Sequence, residues 1–299
     1  MDVAFFIEVV AGGLLAGVMY SLVALGFVLI YKASGVFNFA QGAMVFFAAL
    51  TFVSLLKHGW NFWLAFVVTL AVMVALGVLT ERIVLRPLVN QPQITLFMAT
   101  IGLTFVLEGL SQLIWGSQPH GLELGIPDVP MEWLSQKWNI NISQFDLFAA
   151  FIAGVLVAVL AVFFQKTRIG RALRAVADDH QAALAVGIPL QHIWAIVWAV
   201  AGFVALVAGL MWGARNGVQF ALTFVALKAL PVLLIGGFES IPGAILGGLI
   251  IGASEKVAEV YLGPMVGGGI ESWFAYVLAL LFLLVRPEGL FGEKHIDRV

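Results

Sequence analysis

Long apolar runs recur along the whole sequence, and they constrain the fold more than any other feature. A helix needs about 20 apolar residues to cross the hydrocarbon core of a bilayer. The runs close to that length cover residues 7–31, 37–56, 62–80, 94–115, 147–164, 193–212, 222–237, 241–262 and 270–285. The chain is 62% hydrophobic and only 11% charged, whereas soluble domains carry about 25% charged residues. The sequence therefore predicts a membrane protein.

The predicted fold is an all-α bundle of about eight or nine transmembrane helices in a single domain over residues 1–299. The runs show no alternation of the kind that marks a membrane β-barrel. The N-terminal MDVAFFIEVV lacks a basic region and leads into a run too long for a cleaved signal, so we expect it to be the first span. Pro231, Pro242 and many glycines interrupt the runs 222–237 and 241–262. One of these segments could turn back within the membrane.

Basic residues are distributed unevenly between the two sets of predicted loops. If the N-terminus lies outside, the inner loops hold Lys32, Arg82, Arg86, Lys166, Arg168, Arg171, Arg174, Arg286, Lys294 and Arg298. The outer loops hold only Lys57, Lys137 and Arg215. Cytoplasmic loops of membrane proteins are enriched in lysine and arginine. The distribution therefore predicts an outer N-terminus and a cytoplasmic C-terminus.

The one long loop on the predicted outer side covers residues 116–146. It contains three prolines and four acidic residues, but only a single lysine, Lys137. Two interpretations remain open for this loop. It either caps the mouth of a pathway or offers a docking surface to an extracellular partner.

The segment 165–191 is the one long polar stretch with a helical pattern of its own. Apolar residues recur on one face of the predicted helix, and polar residues recur on another. The apolar face holds Leu173, Val176, Ala177, His180 and Leu184, and the polar face holds Arg171, Arg174, Asp178 and Gln181. Such an amphipathic helix outside the bilayer either rests on the membrane surface or docks on a partner protein.

Ionisable residues within the apolar runs are candidates for function, because a charge at the bilayer centre costs about 2.5–3.5 kcal/mol or more. They are Glu108, Lys228, and the group Glu255, Lys256 and Glu259. Lys228 either faces a substrate pathway or an acid such as Glu108, forms another internal ion pair, or extends its side chain toward a membrane interface. We expect Glu255 and Lys256 near the end of a span, where the cost of a charge falls.

Two amides and several glycines form the remaining polar or small patterns. Asn38 and Gln41 share one helix face between Gly35 and Gly42, and in lipid their amides need hydrogen-bond partners. Both pathway lining and helix packing remain open for this group. Glycines in small-xxx-small patterns predict close packing between helices. These are Gly12, Gly13, Gly17, Gly243, Gly247, Gly248 and Gly252.

A weak internal similarity joins residues 37–43, FNFAQGA, to residues 238–244, FESIPGA. Interrupted helices at corresponding positions of two repeats are a common way to build a transport pathway. Three identities in seven suggest such a repeat.

Motifs of common enzymes are missing from the sequence. The histidines form no HExxH pattern, and no GxxxxGK[ST] phosphate loop is present. The absence of cysteine excludes disulfides and thiolate metal sites. We therefore expect no catalytic residue, no metal, no cofactor and no nucleic-acid partner for this chain.

Several ordered motifs together resemble the permease subunits of branched-chain amino-acid ABC importers. The family's opening helix and NFAHGE-type motif are similar to GLLAGVMYSLVALGFVLIYKASGVFNFAQGAM. Its first cytoplasmic loop is similar to ERIVLRPL, and its cytoplasmic GRA motif to TRIGRALRAVADDHQAALAVGIP. Its glycine-rich SIPGA segment is similar to ALKALPVLLIGGFESIPGAILGGLIIGASE, and its ending to VRPEGLFG. The resemblance extends over nearly the whole chain.

The resemblance implies half of a translocation pathway in the bacterial inner membrane, within the lipid bilayer. The implied partners are a homologous second permease subunit, two cytoplasmic ATPase subunits that bind ATP, and an extracytoplasmic solute-binding protein. The cytoplasmic segment would couple the ATPases to the pathway through Gly170, Arg171, Arg174 and Asp178. Candidates along the substrate pathway are Asn38, Gln41, Gly42, Lys228, Glu239 and Ser240.

Three positions depart from the family pattern and put the substrate in doubt. Gln41 stands where the family usually has histidine, Ala43 where it usually has glutamate, and Glu239 where it usually has a small residue. The same family carries branched-chain and other amino acids, amides, urea and small carboxylates. Two alternatives from other classes are a secondary transporter driven by an ion gradient and a membrane scaffold. The amphipathic segment 165–191 favours the importer, because a transporter working alone has no need of a docking element.

Overall fold

The computed structural model describes residues 3–88, 91–178 and 180–292, and most of these residues are α-helical. The helices are α1 Val3–Ser34, α2 Gln41–Lys57, α3 Phe62–Leu79, α4 Gln93–Trp115, α5 Glu132–Trp138, α6 Gln144–Lys166, α7 Arg168–Asp178, α8 His180–Ala185, α9 Leu190–Asn216, α10 Val225–Gly236, α11 Ile241–Val266 and α12 Phe274–Val285. A π-helical turn, Thr80–Leu85, extends α3. Within the described ranges, β-structure is limited to two isolated bridges, so the all-α prediction is confirmed.

Every predicted apolar run contains a helix. Six helices are long and apolar enough to cross a bilayer, namely α1, α3 with its extension, α4, α6, α9 and α11. The other three runs form the shorter apolar helices α2, α10 and α12. Two of these runs, 222–237 and 270–285, are only partly α-helical. Short 3₁₀ turns, Phe220–Phe224 and Ile270–Ser272, precede α10 and α12.

The long helices carry large apolar side chains on their exposed faces. Trp63 is 71% exposed on α3, Leu113 is 81% exposed on α4, and Val285 is 88% exposed on α12. Soluble monomers rarely expose large contiguous apolar patches. The exposed faces fit the hydrocarbon of a bilayer, and the chain is a multi-pass membrane protein.

The chain groups into two compact units, each assembled from separate stretches. The first unit contains the chain up to Leu25, the segment Leu124–Ala158 and the chain from Lys228 onward. The second unit contains the segments Gly26–Glu123 and Val159–Leu227. The single domain over residues 1–299 stays a prediction.

Direct backbone contact between α1 and α11 organises the first unit. A Cβ atom added to Gly13 would lie 2.6 Å from the carbonyl oxygen of Gly252, and one added to Gly17 would lie 2.5 Å from that of Gly248. The predicted packing role is confirmed for these four glycines. It was wrong for Gly12, because a Cβ there would meet nothing within 4 Å.

Glycines also let α10 and α11 meet within the same unit. A Cβ atom on Gly247 would lie 2.5 Å from the carbonyl oxygen of Val232, and Gly243 abuts the carbonyl of Gly236. The packing predicted for Gly243 and Gly247 is confirmed. Helix α11 therefore has one glycine-rich face against α1 and another against α10.

In the second unit, α2 and α3 pack against α9, and α4 packs against α2. Here too, helices approach closely where a glycine of one lies against the backbone of another. A Cβ atom on Gly77 would lie 2.6 Å from the carbonyl oxygen of Trp198, and one on Gly209 would lie 2.6 Å from that of Val45. Trp198 is almost fully buried. The indole ring of Trp198 thus fills the core of this unit, beside the positions where α3 and α2 contact α9 through glycines.

The contact at Gly17 predicts a position-specific effect of a single methyl group. We expect Gly17→Ala to lower the free energy of unfolding by about 1–3 kcal/mol, because the added Cβ overpacks the contact with Gly248. Gly12→Ala is the matched control on the same helix, and it should leave the thermal midpoint unchanged or slightly raised. Thermal unfolding of the purified protein measures both. Equal midpoints for the two variants would contradict the packing described here.

Candidate functional site

The segment predicted to lie in the cytoplasm contains the short helices α7 and α8, which follow a sharp turn. Thr167 caps α7, since its Oγ accepts a hydrogen bond from the backbone N–H of Gly170 at 3.1 Å. A Cβ atom on Gly170 would collide with the carbonyl of Phe164. Glycine at this position therefore allows α7 to fold back on the end of α6.

The two arginines predicted to contact a partner have different surroundings. The guanidinium of Arg174 donates to the carbonyl oxygens of Phe164 at 2.8 Å and Gln165 at 3.2 Å. These carbonyls lie in the last turn of α6, where helix carbonyls lack intrahelical donors. Arg171 is exposed and makes one long bond, 3.4 Å, to the carbonyl of Lys166. Arg174 thus fixes the turn, while Arg171 presents its charge to the surroundings.

The amphipathic segment contains α7 and α8, and both contact α9. Residue 179, between them, lies outside the described residues, so one continuous helix stays a prediction. Leu173 and Val176 are buried as expected, but Leu184 is 55% exposed, whereas its neighbour Ala183 is buried. The predicted apolar face was therefore wrong at Leu184. The side chains predicted at Asp178, His180 and Gln181 lie outside the described residues.

The two amides predicted for the pathway lie at the break between α1 and α2, and both are fully buried. The Oδ1 of Asn38 accepts from the backbone N–H of Ala40 at 3.1 Å, and its Nδ2 donates to Oε1 of Gln41 at 3.1 Å. In this assigned orientation, Nε2 of Gln41 has no hydrogen-bond partner among the described residues. An unpaired buried donor is costly, so Gln41 remains the stronger pathway candidate of the two.

The glycines around these amides have structural reasons of their own. Gly35 ends α1 with a φ of 66°, which favours glycine. A Cβ atom on Gly42 would collide with the carbonyl of Thr223, so the first turn of α2 packs directly on a 3₁₀ turn. Of the two roles left open by the sequence, the contacts of Gly42 fit packing.

A cluster of charged side chains surrounds Lys228 at the start of α10. Its Nζ lies 2.8 Å from Oε1 of Glu255 and 3.4 Å from Oε1 of Glu271. The hydroxyl of Tyr20 lies 3.5 Å from the same nitrogen, and its ring centroid 5.8 Å away. We call Tyr20, Lys228, Glu255 and Glu271 the charge cluster.

The contacts of the charge cluster bear on the alternatives for Lys228, and its place on a substrate pathway stays a prediction. The internal ion pair is confirmed, with Glu255 and Glu271 as the acids instead of Glu108. The expectation that Glu255 lies near a span end was wrong, because it is 3% exposed and well inside α11. Its charge is stabilised by pairing with Lys228 instead of by proximity to water.

The last two pathway candidates lie at the other end of α10. Ser240 caps α11, since its Oγ accepts from the backbone N–H of Gly243 at 3.0 Å. The side chain of Glu239 is exposed. Lys228 lies in the first turn of α10, whereas Glu239 and Ser240 follow its last residue, Gly236. The structure therefore does not bring these two residues together with the charge cluster.

The weak internal similarity corresponds to similar local structure. Gly35, with a φ of 66°, follows α1, and Gly237, with a φ of 99°, follows α10. In both places an irregular segment then leads into the next apolar helix, α2 or α11. The segments 37–43 and 238–244 are thus helix breaks of the same kind, one in each unit.

Sequence reasoning missed Tyr20 and Glu271 as members of the charge cluster. Tyr20 is the most buried hydroxyl-bearing ring of α1, but nothing in its neighbours along the chain indicates a charged partner. Glu271 lies in the 3₁₀ turn Ile270–Ser272, at the very start of the predicted run 270–285, where an acidic residue is unremarkable in sequence. Only the packing of α1, α10 and α11 brings them to Lys228.

These features define a class: a multi-pass helical membrane protein with broken spans and an anchored pair of short helices outside them. The family described as "Branched-chain amino acid transport system / permease component" matches residues 9–286. The chain belongs to this family, and it is a transport permease subunit.

Individual relatives match over nearly full length. The chain is 27% identical to the high-affinity branched-chain amino acid transport system permease protein LivH of Escherichia coli, covering 99% of this chain and 98% of LivH. It is 28% identical to the corresponding BraD protein of Pseudomonas aeruginosa, covering 100% and 99%. A more distant relative is the fructose import permease protein FruF of Bifidobacterium longum, with 25% identity over 90% of this chain and 75% of FruF.

Asn38 and Gln41 differ in their hydrogen bonds, so their replacement should change the stability of the protein by different amounts. We expect Gln41→Leu to change the free energy of unfolding by less than about 1 kcal/mol, because one of its two polar atoms already lacks a partner. Asn38→Leu should cost about 1–2 kcal/mol, since it removes the bonds to Ala40 and Gln41. Thermal unfolding and solute uptake are measured together. If Gln41 contacts the solute, uptake falls in Gln41→Leu while stability is kept, and unchanged uptake would contradict the pathway role.

Proposed function

We propose that the chain forms half of the pathway of an ATP-driven importer for branched-chain or related amino acids. The observation that carries this proposal is the match to LivH and BraD over nearly the whole length of each chain. The relative named for fructose import matches a smaller share of its own length. Relatives for amides, urea and small carboxylates remain alternatives within the same family.

In this proposal the energy comes from other chains. Two cytoplasmic ATPase subunits bind and hydrolyse ATP, a second permease subunit completes the pathway, and an extracytoplasmic binding protein delivers the solute. This chain has no catalytic role of its own. The absence of a phosphate loop from its sequence supports this division of work.

The helices α7 and α8 are the proposed point of coupling. The bonds from Arg174 to α6 and the contacts of both helices with α9 attach them to two long spans. A push from an ATPase would therefore move α6 and α9 as rigid elements. The distribution of basic residues supports a cytoplasmic position for these helices, with the N-terminus outside and the C-terminus inside.

Transport by this chain should depend on ATP hydrolysis. We expect leucine uptake by proteoliposomes that contain the permease pair, the ATPases and the binding protein to stop when a non-hydrolysable nucleotide replaces ATP. Radiolabelled leucine measures the uptake. The alternative is a secondary transporter. Uptake driven by a proton gradient in vesicles without the ATPases would support that alternative and contradict the proposal.

The two arginines of α7 should respond differently to charge reversal. We expect Arg171→Glu to weaken ATPase association about tenfold without changing the thermal midpoint, because its exposed charge is free to meet a partner. Arg174→Glu should lower the midpoint as well, since the carbonyls of Phe164 and Gln165 lose their donor. Lys137→Glu, in the long loop between α4 and α6, is the control.

Two measurements on the purified complex test the expected effects of Arg171→Glu and Arg174→Glu. They are co-purification of the ATPase subunits and ATP hydrolysis stimulated by the loaded binding protein. If Arg171→Glu leaves both unchanged, α7 is not the coupling element.

A further inference from the structure

The exposure of the charge cluster is unusual for a span. The side chain of Lys228 is 34% exposed and that of Glu271 is 41% exposed. A charge directed at lipid costs several kcal/mol, so charged side chains in membrane proteins face a partner or a polar cavity. The exposed side of the cluster is therefore suited to a polar pathway.

The two acids of the cluster differ in how firmly they hold Lys228. Glu255 is nearly buried, with 4% of its side chain exposed, and lies 2.8 Å from Nζ. Glu271 is ten times more exposed and lies 3.4 Å away. The Glu255 pair is shielded from water and stays closed, whereas the Glu271 pair is the one an incoming charged group can open.

The backbone that carries Glu271 is held in place independently of Lys228. The carboxylate of Glu259 accepts from the backbone N–H of Gly269 at 3.1 Å and from that of Glu271 at 2.8 Å. The turn therefore keeps its position when the side chain of Glu271 leaves Lys228. The hydroxyl of Tyr20 and the carboxylate of Glu255 keep the ammonium of Lys228 in position in the same way.

We propose that Lys228 and Glu271 bind the charged head group of a zwitterionic amino acid by exchanging their own ion pair for two pairs with the solute. The carboxylate of the solute takes the place of Glu271 at the Lys228 ammonium, and the solute ammonium pairs with the released Glu271 carboxylate. Glu255 and Tyr20 orient Lys228 and do not contact the solute. This inference rests on the proposed function and specifies the class of solute that the pathway accepts.

Ion-pair exchange has a specific consequence for selectivity. A zwitterion replaces one internal pair with two external ones, so no charge is left unpaired. A solute with only a carboxylate leaves Glu271 without a partner, and a solute with only an ammonium leaves Lys228 without its second acid. An uncharged sugar offers neither charge. The cluster therefore selects against all three, since none of them replaces the internal ion pair with two new pairs, and an unpaired charge beside a span is costly.

The test uses the assembled permease–ATPase complex in lipid nanodiscs without the binding protein, so that selection by that protein does not contribute. The probe is L-leucine at millimolar concentration, and the readout is the shift of the thermal midpoint. The comparison solutes are 4-methylpentanoate, which lacks the ammonium, and 3-methylbutylamine, which lacks the carboxylate. We expect leucine alone to raise the midpoint.

The deciding variant is Glu271→Gln, which keeps the size of the side chain and removes its charge. We expect it to weaken leucine binding about tenfold or more, the usual effect of losing a bond to a charged group. Lys256→Gln, on α11 next to Glu255 but outside the cluster, is the matched control and should bind leucine as the wild type does. Should Glu271→Gln fail to assemble, Glu271→Asp replaces it, with a smaller loss of affinity and retained preference over both comparison solutes.

Two results would overturn the inference while the proposed function stands. One is equal leucine binding by the wild type and the Glu271 variants, with ATP-dependent leucine uptake intact in proteoliposomes. The other is equal protection by leucine and by a solute that lacks one charge. If the wild-type complex takes up no amino acid at all, the proposed substrate fails and this inference fails with it. Uptake by the wild type separates the two failures.

Discussion

Backbone hydrogen bonding in hydrocarbon is the constraint on which this structure depends. No water is available in the bilayer core to bond free N–H and C=O groups, so each apolar run forms a helix that bonds its own backbone. Helix ends and breaks then need partners of their own. Asn38 supplies one before α2, Ser240 before α11 and Arg174 at the end of α6. These three polar side chains lie where helices begin or end.

Packing between the helices depends on the absence of side chains. Lipid tails are as apolar as leucine, so burial of apolar surface does not drive helices together in a membrane. Close approach of two helices favours their association instead, because it adds van der Waals contact along both backbones. The contacts of Gly13 with Gly252 and of Gly17 with Gly248 show this in the first unit, and that of Gly77 with Trp198 shows it in the second. A rigid arrangement of this kind is what a coupling helix needs in order to move whole spans.

Much of this fold follows from the sequence, but less of the candidate site does. The positions of the nine apolar helices follow from run length, because the thickness of the bilayer sets a length that the sequence must match. The first residues of α10 and α12 could not be predicted from the sequence. Each helix is preceded by a 3₁₀ turn, and apolar composition does not distinguish such a turn from an α-helical one. Lys228 was recognised as a charge within an apolar run, but its partners were not. Glu255 and Glu271 lie 27 and 43 residues away along the chain, and no local pattern encodes such a distance.

The sequence by itself determined that this chain is a membrane protein, which segments form apolar helices, and which family it belongs to. These properties depend on composition, run length and ordered motifs, all of which are local. The tertiary structure decided which polar residues are committed to holding the fold and which present a charge. Arg174 and Ser240 complete helix ends, whereas Arg171 and Glu271 remain exposed. The reason is that a hydrogen bond requires two groups at a fixed distance, and that distance is set by helix packing.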